Sequence, residues 1–150
     1  DIVIARPFPH TGPGQSPDFV CSDWARQVIQ IERGALSPVI RVGNLDVKRD
    51  FTDVRDTVRA YILLLEKGRK GEVYNICRGE GISLRQVLET FLAACSKPVV
   101  VEPDPARLRK VDIPFLVGDN RKIKREISWE PHIPLEKTFR DLLDYWRVHP

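Results

Sequence analysis

Short apolar runs alternate with longer amphipathic segments along most of the chain. The first run, at residues 1–5, is continuous, as in a strand that is buried on both faces of a parallel sheet. Such a strand needs neighbours, and we expect it to pair in parallel with the strand predicted at 72–77 or with strands outside this sequence. Further strands are predicted at residues 39–43, 47–51 and 99–101.

Amphipathic segments with helical spacing separate these strands. Asp53 and Ser83 carry the short polar side chains that cap helix N-termini, and each precedes an apolar pattern of helical period. The helix after Asp53 ends near Gly68, and its apolar stripe is large enough to cover a sheet or to form a dimer. That stripe consists of Val54, Val58, Tyr61, Ile62 and Leu65. Other helices are predicted at residues 18–34, 120–126 and 135–147.

The order of the predicted elements is mostly strand, helix, strand, helix, which indicates an α/β architecture. Two features predict an incomplete domain: the sequence opens directly on a buried strand, and the strands are too few to surround the helices that must cover them. Neither a G-x-G-x-x-G turn nor a P-loop occurs. We therefore expect a missing half upstream.

A loop rich in proline and glycine follows the first strand. Residues 7–14 contain three Pro and two Gly, which excludes regular secondary structure there. The loop continues to residue 17, and loops of this length usually contact a ligand or a partner.

The composition is that of an ordinary globular protein, with 42% hydrophobic and 30% charged residues in 150. Lys and Arg number 24 against 21 Asp and Glu, a balance that argues against a general nucleic-acid binder. The densest basic stretch, residues 121–125, is interpreted as a solvated helical face. Three widely spaced cysteines predict neither a disulfide framework nor a metal site. No apolar run could span a bilayer, so we expect a cytoplasmic protein that binds no membrane.

Several segments, in order, resemble one family. The loop at 6–17 is similar to R-P-F-N-H-T-G-P-G-Q-S-P of the GDP-6-deoxy-D-mannose reductases, which are relatives of the GDP-mannose 4,6-dehydratases. The other segments are VGNL at 42–45, KRDFTDV at 48–54, GEVYNI at 71–76, RKVD at 109–112, LVGD at 116–119 and SWEP at 128–131. The resemblance implies the C-terminal half of a Rossmann-like extended short-chain dehydrogenase/reductase. This half would comprise the last parallel strands and a small α/β substrate-binding domain, spanning residues 1–150.

The resemblance also implies a nucleotide-sugar site. Arg49 and Arg109 match family residues that bind the diphosphate, and guanidinium groups suit forked contacts with phosphate. Asp112 matches an acidic residue that accepts hydrogen bonds from the ribose hydroxyls. The structural alternatives are a surface salt bridge for each arginine and an ordinary exposed acid for Asp112.

Other matched residues have weaker expected roles. Asn44 matches a residue near the nucleotide, although it equally suits a turn. Phe19 and Val20 would border the base, or would simply belong to the core of an amphipathic helix. His10 matches a position near the nicotinamide end of the cofactor. Pro9 replaces the usual family Asn and supplies neither a side-chain amide nor a backbone N–H.

The implied reaction is hydride transfer from NADP(H) or NAD(H) to the C4 ketone of GDP-4-dehydro-6-deoxy-D-mannose, which gives GDP-D-rhamnose. The cofactor would be bound mainly by the missing N-terminal half. The catalytic Tyr and Lys would also lie there, because no tyrosine of this chain has a lysine four positions later. We therefore expect this chain to contain no catalytic residue and to be inactive alone.

Three alternatives stay open. A related GDP-mannose 4,6-dehydratase or another NAD-dependent nucleotide-sugar epimerase or dehydratase would share this scaffold. A non-catalytic sugar-nucleotide-binding module would lack the same motifs. A nucleic-acid-binding domain is weakly suggested by the sequence pI near 8.9, and it would show a steep dependence of binding on salt. The expected partners are a GDP-sugar and the missing half, without nucleic acid, and a homodimer is left open.

Overall fold

The structure is a computed structural model that describes residues 1–108 and 111–149. Nine short strands and five helices alternate along the described chain. The strands are β1 Ile4–Pro7, β2 His10–Thr11, β3 Val39–Val42, β4 Lys48–Arg49, β5 Thr52–Asp53, β6 Val73–Ile76, β7 Ile82–Ser83, β8 Val100–Pro103 and β9 Phe115–Leu116. The helices are α1 Val20–Glu32, α2 Val54–Lys67, α3 Leu84–Ala93, α4 Arg121–Ile127 and α5 Leu135–Val148, with a short 3-10 helix at Pro105–Arg107.

Parallel pairing dominates the sheets. β1 pairs with β6, β2 with β5 and β3 with β8, all in parallel. β2 lies inside the proline-rich loop, so the expectation that this loop has no regular structure was wrong at residues 10–11. β4 lies between β9, which is parallel to it, and β7, which is antiparallel. The predicted α/β class is therefore confirmed, as is the parallel pairing of the first strand with the strand predicted at 72–77.

The first strand differs from its prediction in position and burial. It begins at Ile4 rather than at residue 1, and the side chains of Ile2 and Ile4 are 71% and 48% exposed. Burial on both faces was wrong for the described chain, because β1 has β6 as its one neighbouring strand. Val100 of β8 is likewise 57% exposed, since β8 pairs with β3 alone.

Both predicted helix caps are confirmed. The side chain of Asp53 accepts a hydrogen bond from the Arg55 N–H at the start of α2. Ser83 begins α3 with a reciprocal capping box, in which its hydroxyl accepts from the Gln86 N–H and the Gln86 side chain accepts from the Ser83 N–H. These are local interactions, which explains why residue type and spacing predicted them.

Helix α2 turns most of its apolar stripe, from Val58 onward, away from the rest of the described chain. Its buried residues are Asp56, Thr57, Ala60 and Leu64. The Asp56 carboxylate accepts the N–H groups of His132 and Ile133, each at 2.9 Å. These polar contacts fix the rotation of the helix. The stripe therefore stays exposed, with Val58 at 48%, Tyr61 at 36%, Ile62 at 52% and Leu65 at 88%.

The core has two parts. The larger part lies between α1, α3, α5 and β3 and is centred on side chains such as Trp24, Phe91 and Phe139. Phe91 and Phe139 meet edge to face, with ring centroids 5.3 Å apart. The smaller part packs α2 and α4 against β6 around Tyr74 and Trp129. Helix α1 thus forms one wall of the main core, and its N-terminus is held at the edge of that core.

The basic stretch at 121–125 is a solvated helical face, as predicted. Arg121 is 86% exposed and pairs with Asp119 at 2.6 Å, while Lys124 pairs with Glu130 at 2.6 Å. The apolar residue within the stretch, Ile123, is fully buried. Across residues 1–108 and 111–149, no helix combines the length and the apolar character that crossing a membrane requires.

Candidate functional site

A cavity of about 1280 Å³ opens between the proline-rich loop, the N-terminus of α1 and the ends of β3 and β4. Parallel α/β sheets bind ligands in such crevices, beyond the carboxyl ends of the strands. Six residues predicted to form the site line this cavity: His10, Phe19, Val20, Asn44, Arg49 and Asp112. The seventh, Arg109, lies outside the described residues.

Arg49 and Asp112 form an ion pair on the cavity wall. Nη2 of Arg49 lies 2.7 Å from Oδ1 of Asp112, and their side chains are 15% and 19% exposed. Nη1 donates to the carbonyl oxygens of Lys48 and Ile113 at 2.9 and 2.7 Å. Because β4 pairs with β9 in register Arg49↔Leu116, the segment that leads into β9 passes beside the guanidinium. The two residues, expected to contact separate parts of a nucleotide, therefore hold each other.

Arg49 keeps donors for a ligand despite these contacts. A guanidinium has five N–H groups, and the three bonds occupy both hydrogens of Nη1 and one of Nη2. The Nε–H and the second Nη2–H have no partner among residues 1–108 and 111–149. Guanidinium N–H groups form charge-assisted hydrogen bonds with phosphate, so Arg49 can still contact such a ligand.

Asp50 is a buried carboxylate that the sequence analysis missed. It accepts the backbone N–H groups of Arg78, Gly79 and Gly118 at 2.8, 2.9 and 3.1 Å. Its own N–H donates to the Leu116 carbonyl at 3.1 Å. Burial raises the pKa of Asp50, and the three N–H donors act in the opposite direction. The residue next to Arg49 thus ties the end of β4 to β9 and to the turn after β6.

The proline-rich loop is closed on itself by Gln15. The amide Nε2 of Gln15 donates to the His10 carbonyl at 2.9 Å, and the hydroxyl of Thr11 donates to Oε1 of Gln15 at 2.7 Å. Gly14 has φ 84°, in the left-handed region that glycine tolerates. His10 is anchored as well, with Nδ1 3.1 Å from the Phe8 carbonyl oxygen.

A chain of hydrogen bonds connects this loop to the last helix. The indole N–H of Trp146 donates to the Ser22 hydroxyl at 3.1 Å, and that hydroxyl donates to the Gln15 carbonyl at 2.7 Å. Ser22 is fully buried. The loop that lines the cavity is therefore positioned partly by helix α5.

For Asn44, Phe19 and Val20, the sequence left open a binding role and a purely structural role. Oδ1 of Asn44 accepts the Asp46 N–H at 3.0 Å, which is a turn-forming contact, and the residue is exposed at the cavity. Phe19 is 58% exposed rather than part of the core. Val20 is partly buried and packs against the main core. The Pro9 carbonyl accepts the Thr52 N–H at 3.0 Å, so its backbone contact is with the protein.

The charged residues that line the cavity but were not predicted include Asp23 and Arg107. Nη1 of Arg107 lies 3.6 Å from Oδ2 of Asp23. A side chain at Gly43 would come within 2.5 Å of the Arg107 carbonyl oxygen, so the 3-10 helix can lie against the end of β3 because position 43 is glycine. The sequence feature that could have indicated this contact is Gly43 before Asn44, which we interpreted only as the end of a strand.

Comparison with known proteins identifies the family. The family model of the GDP-mannose 4,6 dehydratases matches residues 1–142. The chain belongs to this family. The predicted resemblance to the GDP-6-deoxy-D-mannose reductases is confirmed, because the chain is 34% identical over 145 residues to GDP-6-deoxy-D-mannose reductase of Pseudomonas aeruginosa, covering 97% of this chain and 48% of that protein. Human GDP-mannose 4,6 dehydratase is 28% identical, with 91% of this chain and 41% of the human protein covered.

Two solved structures share the fold of this member of the GDP-mannose 4,6 dehydratase family. RMD from Pseudomonas aeruginosa complexed with NADPH superposes with a TM-score of 0.92 at 32% identity, over 99% of this chain and 49% of that one. UDP-glucose 4-epimerase of Thermotoga maritima with UDP-glucose gives 0.81 at 28% identity, over 98% and 46%. The chain spans about half the length of the relatives it matches. The Rossmann-like extended short-chain dehydrogenase/reductase fold is confirmed.

Proposed function

We propose that this chain is the GDP-sugar-binding part of an NAD(P)-dependent reductase that converts GDP-4-dehydro-6-deoxy-D-mannose to GDP-D-rhamnose. The observation that carries the proposal is one cavity lined by six residues expected to bind nucleotide or cofactor, with the Arg49–Asp112 pair in its wall. The similarity to the Pseudomonas aeruginosa reductase supports this choice of reaction.

In this proposal, Arg49 binds the diphosphate. Its two N–H groups that have no partner among the described residues supply the donors, while Asp112 and the Ile113 carbonyl fix the plane of the guanidinium. A side chain held before binding loses less conformational entropy when the ligand arrives. Asp112 has a second oxygen for the ribose hydroxyls. Arg109, three positions before Asp112, is proposed as the second phosphate ligand on the basis of the motif alone.

The nicotinamide end of the cofactor fits beside His10. This residue lies just beyond the carboxyl end of β1, where ligands of parallel sheets bind. In the tautomer with a hydrogen on Nδ1, the ring donates to the Phe8 carbonyl, and Nε2 is then an acceptor suited to a carboxamide N–H. The bound cofactor would supply the hydride, while His10 and its loop would hold and orient the ring.

The domain assignment is part of the same proposal. Residues 1–150 would form the substrate-binding portion together with returning Rossmann strands, of which the parallel pair β1 and β6 are candidates. A companion N-terminal half would supply the glycine-rich turn and the catalytic Tyr and Lys. A homodimer stays a prediction, and the exposed stripe of α2 is the surface available to it.

A GDP-mannose 4,6-dehydratase is the second candidate, and the family model that matches residues 1–142 favours it. The two reactions differ in their net use of cofactor. A reductase consumes NADPH with the 4-keto sugar, whereas a dehydratase converts GDP-mannose without net oxidation of the cofactor.

The experiment supplies the intact protein with each sugar nucleotide in turn, follows NADPH absorbance and identifies the products by NMR. The proposal expects NADPH consumption with the 4-keto sugar and formation of GDP-D-rhamnose. Conversion of GDP-mannose to the 4-keto sugar without NADPH loss would establish the dehydratase instead. The 150-residue chain alone serves as a control and is expected to show no turnover.

A further inference from the structure

Asp23 and Arg107 line the cavity but have no part in the function proposed above. Asp23 lies in the first turn of α1, with an 18% exposed side chain, and Arg107 ends the 3-10 helix, with 48% exposure. The two charges face each other at 3.6 Å, which is beyond a hydrogen bond. They come from segments more than eighty residues apart in sequence, and both border the nucleotide cavity.

Each of these groups has unused hydrogen-bonding capacity. The side chain of Arg107 makes two contacts with described residues, at 3.6 Å to Asp23 and 3.7 Å to Asp104, and neither is a hydrogen bond. Oδ2 of Asp23 accepts from Gln27 at 2.8 Å. Within the described part of the chain, Oδ1 has only Arg26, at 3.6 Å. Arg49, by contrast, already makes three hydrogen bonds.

The backbone holds both groups in place. Asp104 caps the 3-10 helix by accepting the Ala106 N–H at 2.9 Å, and its carbonyl accepts the Arg107 N–H at 3.0 Å. The close approach of this helix to Gly43 fixes it against the end of β3. Asp23 is fixed by the helix it belongs to and by Gln27, one turn later. The surrounding backbone therefore fixes the positions of both charged residues, which suits them to hydrogen-bond the edge of a planar ligand.

We propose that Asp23 and Arg107 read the edge of the nucleotide base and select guanine. The inference rests on the proposed GDP-sugar function and adds its base specificity. Guanine places two adjacent donors, N1–H and the N2 amino group, beside the acceptor O6. A carboxylate pairs with the two donors, and a guanidinium is the preferred partner of O6 and N7.

Other bases fit the pair less well. Adenine presents the N1 acceptor where guanine has a donor, and a carboxylate would repel it. Uracil offers one donor between two acceptors. Hypoxanthine keeps N1–H and O6 but lacks the N2 amino group, so it tests the carboxylate contact alone. Phe19, 58% exposed at the same cavity, offers a ring face on which any of these bases could stack.

The test measures the affinity of the intact protein for GDP, IDP and UDP by calorimetry. Wild-type protein is expected to bind GDP at least about tenfold more tightly than IDP, because a hydrogen bond to a charged group contributes roughly a factor of ten in affinity. In the Asp23→Asn variant the ratio of the two affinities should fall towards one. Arg107→Gln should weaken GDP and IDP alike by about tenfold, because both bases carry O6.

Two further variants separate base recognition from general effects. Arg49→Gln should weaken all three nucleotides by a similar factor and preserve the preference for GDP over IDP. Glu32→Gln removes an acid from the same helix as Asp23 but outside the cavity lining. This variant should leave the affinities for all three nucleotides unchanged. Thermal unfolding of each variant confirms that it is folded. Should Asp23→Asn fail to fold, Arg107→Gln still decides the outcome.

Equal affinity of the wild type for GDP and IDP would overturn the inference, as would an unchanged ratio in Asp23→Asn. Unaltered GDP binding by Arg107→Gln would show that the Arg107 guanidinium does not contact the base. In all these cases GDP still binds, so the proposed function survives. Failure of the wild-type protein to bind any of the three diphosphates would instead reject the function itself.

Discussion

Arg49 and Asp112 lie 63 residues apart in sequence and meet at 2.7 Å in the wall of the cavity. The ion pair is formed because β4 and β9 are parallel neighbours, so the chain that enters β9 passes the guanidinium. A mostly buried pair of this kind is costly to break, because removal of one partner leaves the other charge partly desolvated. With the roles proposed for Arg49 and Asp112, phosphate binding and ribose binding are therefore expected to be coupled.

Replacement of Arg49 by Ala should weaken GDP binding by about 1.5 to 3 kcal/mol, or roughly ten- to a hundred-fold. The reason is the loss of charge-assisted hydrogen bonds to the diphosphate. Maximal rate at saturating substrate should fall much less, because the proposed function assigns hydride transfer to groups outside this chain. Calorimetry on the intact protein at one salt concentration measures the change. Arg109→Ala is expected to weaken GDP binding by a similar factor.

Arg121→Ala is the matched control, since Arg121 is 86% exposed and pairs only at the surface. Its effect on GDP affinity should be negligible. Identical affinities for the wild type and Arg49→Ala would remove Arg49 from the binding site.

Asp50→Ala should destabilise the fold by about 3 kcal/mol or more, because three backbone N–H groups would lose their buried acceptor. Urea unfolding of the intact protein measures this loss. Asp144→Ala provides the comparison, as Asp144 is 57% exposed in a surface pair and its removal should cost less than about 0.5 kcal/mol. A small effect at both positions would show that water or other groups satisfy the three N–H donors.

The cysteines should differ in reactivity towards a thiol reagent. Burial raises the pKa of Cys21 and of Cys77 to about 12 in each case, and the nearby Asp50 and Asp119 contribute at Cys77. The thiolate is the reactive form, so neither should be labelled in the folded protein at neutral pH. Cys95 is only partly buried and should be labelled first. Mass spectrometry after timed alkylation, with Cys95→Ser as control, tests the order.

Glu126 should contribute to the loss of stability in acid. Its hydrogen bonds with Arg69 and Arg125 lower the pKa of Glu126 from 4.5 to about 2. A carboxylate with a lowered pKa stabilises the folded state above its ordinary pKa, and this contribution disappears as the pH falls to the folded-state value. The stabilities of the wild type and Glu126→Gln should therefore differ at pH 6 and converge between about pH 4.5 and 2. Urea midpoints across this range measure the difference, and a constant gap would contradict the assignment.

Sequence reasoning succeeded where the deciding interactions are local. The caps at Asp53 and Ser83 depend on residues two or three positions away. Six residues taken from the family resemblance line one cavity, and their binding roles stay predictions. Sequence reasoning did not predict which face of α2 is buried, because that depends on contacts of Asp56 with residues more than seventy positions later. Asp50 and the Asp23–Arg107 pair were missed for the same reason.

The hydrogen-bond chain from Trp146 through Ser22 to Gln15 makes the last helix part of the cavity's support. Trp146 does not line the cavity, yet Trp146→Phe would keep a smaller aromatic ring against the core and remove the N–H that holds the Ser22 hydroxyl. A mutational scan scored by ligand affinity should therefore rank position 146 among the binding residues. Its defect would arise from a displaced loop rather than from a lost contact with the ligand.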